Sequence, residues 1–284
     1  MRTVLAIIVV AAMAGSAIAS PTRLPEVAQL ESPSVVILDA STKRELFAKH
    51  ADDPRAIASM TKIFAALVVR KHKLDLEAWT EITDEDAKTA EGGASTRLLR
   101  GESFRNVDLL HAMLLVSDNR VPTALARSVQ LSPRELLDEM NAFAQDLGLE
   151  HTKFVDVTGI NDNQSTAREM AIVLGLALKD PVLAKIMRTR YARITSKSET
   201  LTIDYKSTVL PLWTKGLKVR GGKTGTTDAA GHCMIIGAKI AGRDVLMAFL
   251  GGESESSRFT DFAHAVHWLE HAEVEPAHVA TDAP

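Results

Sequence analysis

The fold turns on the stretch Ile57-Ala58-Ser59-Met60-Thr61-Lys62-Ile63-Phe64-Ala65-Ala66-Leu67-Val68-Val69-Arg70-Lys71. Before it the pattern is that of strands. Ser34 to Asp39 is apolar and β-branched, Ala40 to Lys43 is a polar turn, and Arg44 to Lys49 returns, which predicts a hairpin. From Ser59 the period changes. Ile63, Ala66, Leu67 and Arg70 fall at i, i+3, i+4 and i+7, the spacing of one helix face. The reading is a helix from Ser59 to about Lys71. Ser59 and Lys62 then share one face, a turn apart, at the helix start.

Working outward, residues 84 to 104 are polar, with Gly92, Gly93 and Gly101, and read as a long exposed loop. Asn106 to Val116 reads as an apolar helix running into Ser117-Asp118-Asn119. Another helix takes Ser132 as N-cap, Pro133 in its first turn and Glu135 three on from the cap, and Gly148 stops it. Thr166 to Glu169 is a second capping box, and that helix ends before Pro181. Strands return as Leu217 to Thr224, His232 to Ile240 and Asp244 to Leu250, with a tight turn at Ala241-Gly242-Arg243. A last helix runs from about Ser257 to Ala272. Strands at both chain ends can join in one five-stranded antiparallel sheet with the intervening helices on its faces. The expected fold is α+β, a single layered domain over 34–272.

The 284 residues, 46% hydrophobic, suffice for one sizeable core. Arg2, the apolar run Val4 to Ala14 and Ala17-Ile18-Ala19 read as a cleavable export signal over 1–19, followed by a Pro-containing tether over 20–33. Removing 1–19 takes away Arg2 and no acid, leaving 32 of the 33 basic residues against 36 acidic ones, a net charge of −4. That balance offers no basic surplus for nucleic acid. No later stretch is long enough to span a bilayer. Residues 273–284 lack periodicity and read as a loose tail. Cys233, the only cysteine, sits in an apolar run and reads as a core residue.

Three short motifs carry the chemistry: Ser59-Met60-Thr61-Lys62, Ser117-Asp118-Asn119 and Lys223-Thr224-Gly225. A Ser-x-x-Lys tetrad alone is expected by chance on the order of once in a chain of this size. In this order, with wide gaps, the three imply a serine acyl-transfer site. Serine is a poor nucleophile without a base in hydrogen-bond reach. Lys62 can be that base only if burial or a neighbouring cation lowers its pKa, and Lys223 is the candidate cation. Lys223 is expected at a strand end, where small flanking residues (Gly221, Gly222, Gly225) let a substrate backbone approach the strand edge. Ser117 could relay a proton, and Asn119 has a donor and an acceptor for a substrate amide. His264, His267 and His271 share one face of the last helix, but Phe259, Phe262, Val266 and Leu269 take the other, so a solvated stripe is expected rather than a metal site. No Gly-rich phosphate loop follows a strand, and no cofactor is implied.

With these residues the chain resembles low-molecular-mass penicillin-binding proteins, the serine D-alanyl-D-alanine peptidases, from roughly Pro33 to Leu269. Beside the three motifs, Val36-Ile37-Leu38-Asp39-Ala40, Leu109-Leu110-His111-Ala112-Met113-Leu114, and Thr152 to Asp156 through Thr158-Gly159 carry the likeness. The resemblance implies that Ser59 is acylated by a D-Ala-D-Xaa bond with Lys62 as base. It implies that Ser117 and Lys223 manage the proton for the leaving amine and that Asn119 holds the substrate amide. It puts the backbone N–H groups of Ser59 and Thr226 in the oxyanion hole. Thr224, beside Gly225, and Arg258 would lie near the substrate carboxylate. It also implies peptidoglycan stems and cross-links as substrate and β-lactams as covalent inhibitors. A β-lactamase would need a water-activating glutamate on a loop between the second and third motifs. Glu150 is nearest, but His151-Thr152-Lys153 after it does not fit. The carboxypeptidase branch usually adds a second β domain and an amphipathic C-terminal anchor, which the sequence lacks. The expectation is therefore a periplasmic endopeptidase, with a carboxypeptidase on pentapeptide stems, then a β-lactamase, then a non-catalytic β-lactam-sensing domain as the alternatives.

Overall fold

The computed structural model describes residues 30–271. The expected export signal, most of the tether and the expected tail lie outside the described residues. Strands β1 (Ser34–Asp39) and β2 (Glu45–Lys49) form the predicted hairpin. Its turn is fixed by the Asp39 carboxylate, which accepts from the N–H groups of Ser41 (3.0 Å) and Thr42 (2.9 Å), a side-chain turn motif that Asp favours.

After β3 (Arg55–Ala56), residues Ala58–Thr61 form a 3-10 turn and α1 covers Lys62–Lys71. Ser59 is thus in a tighter turn just before the α-helix, not in it. The cause is Ala58, whose φ of 47° breaks the helical run one residue before the serine. Such a backbone persists only where the surroundings impose it.

The stretch 84–104, expected as a loop, is partly ordered. Strand β4 (Trp79–Glu81) precedes α2 (Asp84–Thr89), and β5 (Ser103–Arg105) returns to pair with β4. A capping box starts α2: Thr83 accepts from the Asp86 N–H and the Asp86 carboxylate accepts from the Thr83 N–H (2.8 Å). Aspartate stands where glutamate is usual, which hides the box in the sequence. Helices α3 (Asn106–Leu115), α4 (Val121–Ser128) and α5 (Pro133–Asp146) follow, the last with the predicted Ser132–Glu135 box.

Strand β6 (Gln164–Ser165) pairs with β3 and leads into α6 (Ala167–Ala177). Thr166 caps α6 as expected, but the Glu169 carboxylate turns away to accept from Thr152 Oγ1 (2.6 Å) and the His151 N–H (3.0 Å), so the box is not reciprocal. Helix α7 (Pro181–Met187) and a hairpin of β7 (Tyr191–Thr195) and β8 (Thr202–Lys206) complete the middle. Then come β9 (Lys218–Thr227), β10 (Gly231–Ile240), β11 (Arg243–Gly252) and α8 (Ser257–His271).

The main sheet has the order β2-β1-β11-β10-β9, five antiparallel strands drawn from both chain ends. Alternation along β1 sends Val36 and Leu38 into one core and Val35 and Ile37 into the other. Helix α6 lies on the first face and α8 on the second. The first core continues into α1, where Phe64 meets Phe154 at 4.6 Å between ring centroids. Cys233 is a buried core residue, its thiol pushed up to about 11 by burial. The three histidines of α8 are exposed while Phe262 and Leu269 are buried. No described helix is long and apolar enough to cross a membrane.

Candidate active site

The site forms where the Ser59 turn, the loop after α3, the loop before β6 and strand β9 converge. Lys62 opens α1 and is fully buried. Its Nζ donates to Ser59 Oγ at 2.8 Å and to the main-chain carbonyl of Thr158 at 2.5 Å. Burial pushes the Lys62 ammonium down to about 7, against the pull of Asp156 and Asp118. An ammonium taken from water into a closed site favours its neutral form, so the lysine beside Ser59 is poised to accept a proton near neutrality.

Lys223 is fully buried as well, and its Nζ donates to the Thr224 carbonyl at 2.6 Å. Burial drives it well below the ordinary lysine range, and Lys62 and Arg258 push the same way. The two lysines therefore titrate as a pair. Of the two causes expected for the Lys62 shift, burial is the one that acts, and Lys223 is not among the groups that lower it. Lys223 also lies inside β9 and not at its end, because β9 continues to Thr227.

The glycine of the third motif has a role the sequence did not suggest. A Cβ on Gly225 would stand 3.0 Å from the Ile57 carbonyl oxygen and 3.1 Å from the Ser59 nitrogen. The approach it permits is that of β9 to the Ser59 turn of the same chain. Gly159, at φ 84°, does likewise from the opposite loop, where a Cβ would lie 2.0 Å from the Ala58 oxygen. The Ser59 turn is held between two glycines.

Ser59, Asn119 and Thr226 line one cavity of about 410 Å³, together with Gly92, Gly93, Gly159, Ile160 and Thr227–Ala229. Ser117 and Asn119 sit on the loop after α3, Ser117 at φ 67°. Ser117 Oγ and Asn119 Oδ1 are buried and have no hydrogen-bond partner in the protein. Buried polar atoms are ordinarily satisfied, so these two are acceptors or donors open to a ligand. Thr224 Oγ1 pairs with Thr208 Oγ1 at 2.6 Å. Arg258, buried at the start of α8, donates to the Gly225 carbonyl (3.1 Å), Thr226 Oγ1 (3.0 Å) and the Cys233 carbonyl (3.3 Å). It thus braces the third motif from behind and does not itself line the cavity. Glu150 is exposed and lies off the cavity wall. A larger cavity, about 780 Å³, opens between α8 and residues 210–218 and contains none of the motif residues.

Sequence reasoning missed Thr208, Asp118 and the hydrogen-bonding of Asp156. Asp118 is buried, accepts from Thr96 Oγ1 and from the Arg120 N–H (3.0 Å), and has its carboxyl pushed up by burial. Asp156 could have been found from the spacing Asp156-x-Thr158-Gly159, that of an Asx turn.

Comparison with known proteins accords with this geometry. Residues 20–254 match the family described as D-alanyl-D-alanine carboxypeptidase, peptidase S11. A D-alanyl-D-alanine endopeptidase of Escherichia coli is 29% identical over 270 residues, covering 95% of this chain and 86% of that protein. A D-alanyl-D-alanine carboxypeptidase of the same organism is 30% identical over 265 residues, covering 88% of this chain and 65% of that protein. Among solved structures, a mutant of a Streptomyces DD-transpeptidase superposes with a TM-score of 0.79 at 25% identity, covering 85% of this chain and 98% of that one.

Proposed function

This chain belongs to the D-alanyl-D-alanine carboxypeptidase family of serine peptidases, and we propose that within it the protein is a periplasmic endopeptidase opening the peptide cross-links of peptidoglycan through a Ser59 acyl-enzyme. The observation that carries the chemistry is the 2.8 Å hydrogen bond from a fully buried Lys62 to Ser59 Oγ. Neutral Lys62 takes the Ser59 proton as Oγ attacks the D-Ala carbonyl. The oxyanion is met by the N–H groups of Ser59 and Thr226, which the Gly225 approach keeps close. The proton passes to the departing amine by way of Ser117 and Lys223. Asn119, with its unsatisfied Oδ1, holds the substrate amide, and Thr224 favours its carboxylate end, with Arg258 bracing the third motif from behind. Water then releases the acyl group.

Preference for cross-links is supported by the relative named an endopeptidase, which is matched along most of its length. The second reading, a carboxypeptidase acting on pentapeptide stems, is supported by the 30% identity to a protein so named. Residues 1–19 would export the chain, and 34–272 would be the catalytic domain. With β-lactams the same attack leaves a long-lived ester, because among the described residues no glutamate lines the Ser59 cavity to activate water.

The test is to incubate the protein with labelled penicillin and map the adduct by mass spectrometry. A stable adduct on Ser59 that is lost in Ser59→Ala is expected. Rapid drug turnover would indicate a β-lactamase, and no adduct would sink the mechanism. Digestion of cross-linked and pentapeptide muropeptides then separates the two readings by which species disappears.

A further inference from the structure

Lys62 has two hydrogen-bond acceptors, and only one of them is the nucleophile. The other, the Thr158 carbonyl, cannot take up a proton near neutrality, so its part is to hold the ammonium end in place. What fixes that carbonyl is Asp156. Its Oδ1 accepts from the Thr158 N–H (2.6 Å), Thr158 Oγ1 (2.6 Å) and the Gly159 N–H (2.7 Å), and its Oδ2 accepts from the Asn161 N–H (2.9 Å). Asn163 ties the same loop to the nucleophile turn. Its Nδ2 donates to Thr61 Oγ1 (3.0 Å) and to the Asp156 carbonyl (2.9 Å), and its Oδ1 accepts from the Val155 N–H (2.7 Å). With Gly159 pressed on Ala58, the loop is keyed both to the turn that carries Ser59 and to the lysine beside it.

We propose that Asp156 is a positioning residue for the acylation base: its carboxylate locks the Thr158 carbonyl onto Lys62 Nζ and, as an anion facing the buried lysine, sets the pH at which Lys62 becomes free to accept a proton. The proposal rests on the Ser59–Lys62 reading above. Other charged groups face Lys62 too. Asp118, from the loop after α3, is a second anion. Lys223 of β9 is a cation, with Arg258 behind it. Of the two anions Asp156 weighs more on Lys62. Its four loop donors hold its own carboxyl below the usual range, whereas burial pushes that of Asp118 up. Asp156 is therefore the anion that stays charged as the pH falls. The arrangement has a catalytic logic. Burial alone would leave Lys62 neutral but a feeble base, and a fixed anion restores proton affinity without closing the hydrogen bond to Ser59.

The experiment measures the rate of Ser59 acylation by labelled penicillin against pH, for the unaltered protein, Asp156→Asn and Thr158→Ala. The unaltered protein should gain rate with rising pH through about 7, an apparent value for the coupled lysines. Asp156→Asn removes the anion, so the ammonium loses support and the rising limb should move to lower pH by about one unit. The plateau should fall by about tenfold or more as the carbonyl loses its clamp. Thr158→Ala removes one donor and keeps the charge, so it should lower the plateau without moving the limb. A merely structural Asp156 would lower the plateau and leave the limb in place, and that result in a folded Asp156→Asn overturns the proposal. Where Asn does not fold, Asp156→Ser keeps one acceptor for the loop and is read the same way. If neither folds, Asp156 maintains the fold and not the base, and the proposal fails. A missing Ser59 adduct in the unaltered protein would instead defeat the proposed function.

Discussion

The two faces of the main sheet do different work. On the α8 face, Val35, Ile37, Met234, Met247 and Phe249 meet Phe262, Ala265, Trp268 and Leu269 in an apolar cluster. The other face supports the helical layer, and at its β9 end two fully buried lysines, Lys62 and Lys223, share the interior with buried Asp118. An apolar contact stabilises in proportion to the area it removes from water. A buried ammonium does the reverse, and what offsets it here is hydrogen bonding, Lys62 to Ser59 Oγ and the Thr158 carbonyl and Lys223 to the Thr224 carbonyl. The contrast locates the function. On the proposed mechanism Lys62 and Lys223 sit where acyl transfer needs depressed pKa values, and they weaken the fold at that place.

Two substitutions break this contrast from opposite sides. Lys62→Met fills the same space without charge. Acylation of Ser59 should fall by roughly 10²–10⁴-fold, the contribution of a positioned base, while the melting temperature at pH 7 rises. Calorimetry beside the labelled-penicillin assay checks both, and an active or destabilised variant would contradict the account. Phe249→Ala, on the α8 face, should cost about 3–5 kcal/mol of stability by leaving a cavity. The folded fraction should acylate at the unaltered rate, as chemical denaturation followed by an assay of folded protein would show. A parallel loss of activity would mean that the α8 face also shapes the site.

That division was only half visible in the sequence. The α8 face was legible because its strands and helix follow simple periods: Ser34 to Asp39, His232 to Ile240 and the Phe259–Leu269 stripe all reappear in the structure. The motif residues were legible as types at fixed spacing, and Ser59 and Lys62 do lie in hydrogen-bond contact. What could not be read was whatever depends on partners distant in the chain. The left-handed Ala58 is imposed by a loop a hundred residues on. The β7–β8 hairpin, by contrast, was legible and was passed over: β8 alternates cleanly, with Ile203 and Tyr205 buried between exposed Thr202, Asp204 and Lys206. The glycines around Lys223 looked like an opening for substrate, yet Gly225 serves the approach of β9 to the Ser59 turn. Local chemistry names the participants, and tertiary contact decides which side each of them faces.

Gly225→Ala tests that last point. The added methyl would crowd the Ile57 oxygen and the Ser59 nitrogen at about 3 Å, so the Ser59 turn must give by a few tenths of an ångström. A displacement near 1 Å is worth about 10²-fold in rate, so a smaller shift should slow acylation by less than that, and crowding at a buried residue of β9 should also lower the melting temperature. If acylation is unchanged, the oxyanion site does not depend on this approach.

The smallest effect sharpens the comparison most directly, because it reads the buried charge itself. Lys62 titrates near 7 in the folded protein and near the usual lysine value of about 10.4 when unfolded. Between those limits the unfolded chain binds a proton at Lys62 that the folded protein does not. Stability must therefore rise with pH across that window and level off below it. Relative to Lys62→Met, the unaltered protein should gain about 1.4 kcal/mol for each pH unit above 7, within the range where both remain reversibly foldable. Lys62 is among the charges that hold Lys223 low, so the difference reads Lys62 together with the change its removal makes at Lys223. Phe249→Ala, which removes no titrating group, should instead run parallel to the unaltered protein at every pH. Two parallel curves for Lys62→Met would show that Lys62 keeps its proton in the folded state, and the buried base would have to be sought elsewhere.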